Sequence, residues 1–74
     1  MNKTDIIANA IRTNQSFSAI RNAFVTDLAL TPITAAHYAR QIRKIRLSKN
    51  RKLMNAVSAG KVGLRKAVKT LKAL

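Results

Sequence analysis

The sequence predicts an all-helical domain of four or five short helices, and three observations carry that expectation. Apolar residues recur at helical spacing along the chain, with no alternation of apolar and polar residues that would mark a strand. Only two glycines and one proline interrupt the 74 residues, and alanine is the most frequent residue. Hydrophobic residues make up 47% of the chain, which opposes disorder despite a net charge of +13. A chain of this length makes a single domain, residues 1–74, and buries only about 60% of the surface of its unfolded form, so its core is small.

Each helix has its own signal. In the first, Thr4 is the expected N-cap and Asp5 sits in the first turn, where the helix dipole favours a negative charge. Ile6, Ile7, Ala10 and Ile11 then form one apolar stripe, running to about Thr13. Asn14-Gln15-Ser16 breaks it, Ser16 offers a new cap, and Phe17, Ile20, Phe24 and Leu28 mark a second amphipathic helix. Thr31-Pro32 is the sharpest boundary, a capping hydroxyl directly before a proline whose missing N–H is not needed at the first helical position. The third helix then places Ala35, Tyr38, Ala39, Ile42 and Ile45 on one side and Thr34, His37, Arg40, Gln41 and Lys44 on the other.

Past Ile45, residues 46–52 are the most cationic and least periodic stretch and read as a connector. Ser48 or Asn50 would cap a short fourth helix through Leu53, Met54 and Val57, ending near Gly60. The last segment holds a stripe of Leu64, Ala67, Val68, Leu71 and Leu74, with Arg65, Lys66, Lys69 and Lys72 opposite. That stripe is expected to complete the core or a homodimer interface.

Charge supplies the functional expectation. Twelve of the fifteen Lys and Arg residues lie between Arg40 and Lys72, and no acidic residue follows Asp27. Like charges repel and weaken a compact state, so their concentration points to a polyanionic partner, with nucleic acid first. Two helices joined by a tight turn, the second opened by Thr-Pro, also have the order of a helix-turn-helix, whose second helix enters the major groove. On that reading Thr34, His37 and Gln41 meet base edges, and Arg40 takes a guanine or a phosphate. Arg43, Lys44, Arg46, Lys49, Arg51 and Lys52 hold the backbone.

The stretch Leu28-Ala29-Leu30-Thr31-Pro32-Ile33-Thr34-Ala35-Ala36-His37-Tyr38-Ala39-Arg40 resembles the turn and second helix of small helix-turn-helix proteins common in bacteriophages. The shared features are a leucine, a Ser or Thr cap, small residues in the helix and a tyrosine near its middle, and the similarity spans roughly residues 16–46. The resemblance implies a DNA-binding module of phage or bacterial type. It leaves the basic helical region 47–74 unaccounted for.

The expected function is therefore duplex DNA binding in a regulatory role, including transcription regulation, or as a packaging, replication or nucleoid accessory. An acidic host protein inhibited by a phage-type small protein is the alternative, and structured or ribosomal RNA is a further one. Three aromatics, Phe17, Phe24 and Tyr38, are too few for single-strand recognition by stacking. Enzymatic function is not expected. The two carboxylates, Asp5 and Asp27, fall on separate helices, and the chain has no Ser-His-acid set and no glycine-rich phosphate loop. The single histidine and the absence of cysteine give no metal-ligand spacing, so neither metal nor cofactor is expected. No stretch approaches the roughly 20 apolar residues of a membrane span, and the last helix lacks a Trp or Phe anchor for an interfacial role. A cytoplasmic location is the corresponding expectation.

Overall fold

The structure, a computed structural model, describes residues 2–73, and all its regular elements are helices: α1 (Lys3–Arg12), α2 (Phe17–Leu28), α3 (Pro32–Ser48), α4 (Arg51–Ser58) and α5 (Leu64–Ala73). Short polar side chains start four of them by taking up an amide that the first turn leaves without a partner. Ser16 Oγ accepts from Ala19 N–H at 3.2 Å, Thr31 Oγ1 from Thr34 N–H at 3.3 Å, and Asn50 Oδ1 from Leu53 N–H at 3.1 Å. The first helix begins earlier than the sequence suggests. Asn2 Oδ1 accepts from Asp5 N–H at 2.8 Å and displaces Thr4 as the cap, leaving Thr4 inside the first turn.

Two helices end on residues with a left-handed backbone: Ala29 after α2 (φ 53°) and Lys49 after α3 (φ 55°). A β-carbon there costs roughly 1–2 kcal/mol, whereas glycine's extra freedom in the unfolded chain costs about 0.4–1 kcal/mol. Ala29→Gly should therefore raise stability by a few tenths to about 1 kcal/mol. A urea melt with a lower midpoint than the parent would contradict this.

The expected connector over 46–52 shrinks to Lys49 and Asn50, because α3 continues through Ser48. Ile45 is fully buried and keeps the last turns of α3 against the core. The Ser48 hydroxyl donates to the Ile45 carbonyl and accepts from Asn50 N–H, closing the turn locally. Arg46, expected to hold the nucleic-acid backbone, is turned inward by two long-range hydrogen bonds described below.

Among the described residues the core is wholly apolar. Phe24, Ile6, Ile20, Ile42 and Ile45 are its largest fully buried side chains. Ala10, Ala35, Ala39 and Ala67 are also fully buried, and their small size lets the helix axes approach closely. Of the C-terminal stripe, Leu64 and Ala67 are buried while Val68 and Leu71 are only half-buried. Leu74 lies outside the described residues.

Side-chain neighbours give the helix directions. Phe24 of α2 stacks on Tyr38 of α3 with ring centroids 5.2 Å apart, Gln15 just before α2 is bonded to Arg46, and Phe17 shares a cleft with Leu47. The start of α2 therefore lies beside the end of α3, and residues 16–46 form an antiparallel helical hairpin. These contacts give the neighbours of each helix and leave the helix-turn-helix expected over these residues without direct support. On the other side of α3, α5 runs parallel to it. Gly63, Leu64 and Arg65 face Thr34 to Gln41, and Val68, Leu71 and Lys72 face Lys44 to Ser48. Helix α1 packs against α4 and closes the inner side of α3.

Candidate nucleic-acid interface

Helix α3 is the middle of three helices laid side by side, and only a strip of it reaches solvent. Its buried residues, Ala35, Ala39, Ile42 and Ile45, point to the core. Opposite them, Ile33, His37, Arg40, Lys44 and Leu47 share the outward arc at 3.6-residue spacing. Ile33 and Leu47 are 85% and 73% exposed and sit at the two ends of this strip, an apolar feature that its charge pattern hid.

The flanks of α3 differ. Towards α2, Arg40, Arg43, Lys44 and Leu47 line a shallow cleft of about 360 Å³ with Phe17. Towards α5 there are two. At the N-terminal end, a cleft of about 390 Å³ is lined by Thr34, His37, Tyr38 and Gln41 of α3, by Lys3 of α1, and by Gly63, Leu64 and Arg65. At the other end, Leu47, Val68 and Leu71 floor a groove of about 470 Å³, with Lys44 and Lys72 at its rim. Neither Asp5 nor Asp27 lines any of these three. The face is cationic because cations from three elements converge on it with no Asp or Glu side chain between them among the described residues.

The ten residues expected to contact nucleic acid do not form one surface. Thr34, His37 and Gln41 come together in the α3–α5 cleft, and Arg40, Arg43 and Lys44 line the α2 side, all belonging to the same face. Lys49 caps the end of α3. Arg51 and Lys52 open α4, and Arg51 lines a separate cleft with Ile11 and Arg12 of α1.

Arg46 has an internal role. Its Nη1 donates to the Gln15 carbonyl at 2.6 Å and to the Ala10 carbonyl at 3.2 Å, tying the end of α1 and the following turn to α3. Carbonyls at a helix C-terminus carry partial negative charge, so a guanidinium there is favourable. Burial first, and then the neighbouring Arg43, pull its pKa below the usual arginine value. Its Nε is buried without a hydrogen-bond partner.

Two contributors were not legible as site residues. Lys3 lies in the nearly neutral N-terminal half, and only the fold carries it to α3, where its Nζ sits 4.6 Å from the Tyr38 ring centroid in a cation–π contact. Arg65 belongs to a basic stripe visible in the sequence, but nothing there says that it faces α3.

Among the described residues no group of three or more His, Cys, Asp and Glu side chains is placed to hold a metal, and no helix is long and apolar enough to cross a membrane. No protein-family model, curated protein or solved structure matches the chain.

Proposed function

We propose that this protein binds duplex DNA by its phosphates, in a regulatory or accessory role, using the exposed strip of α3 and the adjoining cations of α5. The observation that carries the reading is the convergence of Arg40, Arg43 and Lys44 with Arg65 and Lys72 on one face whose clefts, among the described residues, are lined by no Asp or Glu side chain. Phosphate contacts need cations spread over a surface, and they carry no sequence information of their own.

Base reading by α3 gains less support. The major groove is about 12 Å wide and accepts one helix, whose diameter with side chains is about 10–12 Å. Helices pack about 8–10 Å apart, so three abreast measure roughly 30 Å and cannot enter together. With α2 and α5 on its two sides, α3 meets the duplex as part of a broad face. Thr34 and Gln41, moreover, line a cleft instead of forming a ridge.

Binding to a mixed-sequence DNA duplex, a duplex RNA of equal length and polyglutamate, each at 50 and 300 mM salt, tests the reading. The DNA duplex should bind tightest at low salt, with a steep loss at high salt. Preferential binding of the RNA duplex or of polyglutamate would overturn it in favour of a structured-RNA or acidic-protein partner. Selection from a random duplex pool should give only weak enrichment, and replacing Thr34, His37 and Gln41 by alanine should leave it as weak. A strong motif that disappears in the triple variant would restore α3 as a base reader.

A further inference from the structure

We infer that the cleft between the N-terminal ends of α3 and α5 seats one backbone phosphate of the bound duplex, held by Lys3, Arg65, His37 and Thr34. The inference rests on the duplex-DNA reading and gives it a fixed point of attachment.

Three separate elements supply the donors. Lys3 comes from α1, Thr34 and His37 from α3, and Arg65 from α5, so the cleft exists only in the folded chain. One of its cations, Lys3, is placed by packing. Phe24 is fully buried, Tyr38 stacks on it at 5.2 Å, and the Lys3 ammonium sits 4.6 Å from the centroid of that ring. An ammonium over an aromatic face keeps donors free for an anion on its outer side.

Thr34 is likewise prepared. Its Oγ1 accepts a hydrogen bond from the Thr31 hydroxyl at 3.0 Å, which leaves its own O–H to donate elsewhere. Arg65 is exposed, so its guanidinium forks freely towards two phosphate oxygens. The volume of about 390 Å³ lies in the range of small-ligand sites and admits a phosphate with its attached sugars. Among the described residues no Asp or Glu side chain lines the cleft to compete for these donors. The chemistry fits a phosphodiester: cationic donors for its charge, a hydroxyl for a further oxygen and the edge of Tyr38 for the sugar.

The test compares two variants that each lose two positive charges. Lys3→Gln with Arg65→Gln empties the cleft of cations, and Arg12→Gln with Arg51→Gln removes the same charge from the α1–α4 cleft on another face. All four side chains are exposed, and thermal melting checks that both variants fold as the parent does. On a short DNA duplex, the cleft variant should lose about tenfold or more in affinity at 100 mM salt. The slope of log affinity against log salt should fall by nearly two, about 0.9 per lost contact. The control pair should change the slope by much less than one.

Equal losses in the two pairs would overturn the cleft while leaving DNA binding intact. Failure of the parent protein to bind duplex DNA would overturn both readings together. Inorganic phosphate should compete no better than chloride of equal ionic strength. Stronger competition would make free phosphate the occupant and would overturn the assignment to the DNA backbone.

Discussion

Arg46→Ala should destabilise the domain by about 2–4 kcal/mol, the largest stability effect expected of any cationic residue in the chain. Hydrogen bonds from a charged donor contribute about 1.5–3 kcal/mol each, Arg46 Nη1 makes two, to the Ala10 and Gln15 carbonyls, and the desolvation cost of its buried, unpartnered Nε, about 1–3 kcal/mol, offsets part of their sum. Both acceptors sit where α1 ends and the chain turns into α2, so the loss would loosen the join between the first helix and the hairpin. A domain of this size holds only about 0.05–0.15 kcal/mol of stability per residue, and the variant would lose a large share of it. Urea denaturation followed by circular dichroism reads the effect. Arg43→Ala, one turn away and exposed, should leave the midpoint within experimental scatter of the parent. If Arg46→Ala melts with the parent but binds DNA poorly, Arg46 belongs to the interface and its internal hydrogen bonds contribute little.

That contrast shows where sequence reading stops. Helix positions were legible because they depend on local chemistry. Ser16, Thr31 and Asn50 cap by reaching an amide three residues on, and the apolar stripes of α1 to α4 contain every residue that those helices bury, with Phe17, Leu28, Tyr38 and Met54 of the same stripes only half-buried. Asn2 shows the limit even there, since it and Thr4 are both able caps and only the backbone decides between them. Residues 46–52 read as loop because Arg46, Lys49, Arg51 and Lys52 break the apolar period. A half-buried arginine bonded to distant carbonyls looks the same in sequence as an arginine in solvent.

The arrangement of helices was not legible at all. Thr31-Pro32 begins a helix equally well in an open helix-turn-helix and in a closed hairpin. The difference lies in long-range contacts such as Phe24 with Tyr38 and Gln15 with Arg46. The candidate face followed the same rule. Arg40, Arg43 and Lys44 could be grouped from helical spacing alone, but Lys3 and Arg65 join them only through the packing of α1 and α5 around α3. In the last helix the period led to an expected core or homodimer interface, and within the chain Leu64 and Ala67 are buried while Val68 and Leu71 are half-buried against the core.

The same geometry divides the cations into those that should matter for binding and those that should not. Arg40, Arg43 and Lys44 occupy one exposed stretch of α3, whereas Arg51 and Lys52 begin α4. Replacing Arg40, Arg43 and Lys44 together by glutamine should lower the salt slope by nearly three, at about 0.9 per phosphate contact. Between 50 and 200 mM salt the parent's loss of affinity would then shrink by roughly one and a half powers of ten. Folding should be unaffected, because none of the three side chains is buried. Replacing Arg51 and Lys52 by glutamine removes two charges of the same sign but leaves the α3 face intact, so its slope should stay close to the parent's. The net charge of the whole molecule acts at long range, is screened beyond about 10 Å at 0.1 M salt, and shifts association for both variants alike. Only local contacts separate them. Fluorescence anisotropy titrations of one short duplex at four salt concentrations give the slopes directly. Identical slopes for the two variants would mean that charge acts without a defined face, and the α3–α5 surface would lose its claim to be the binding site.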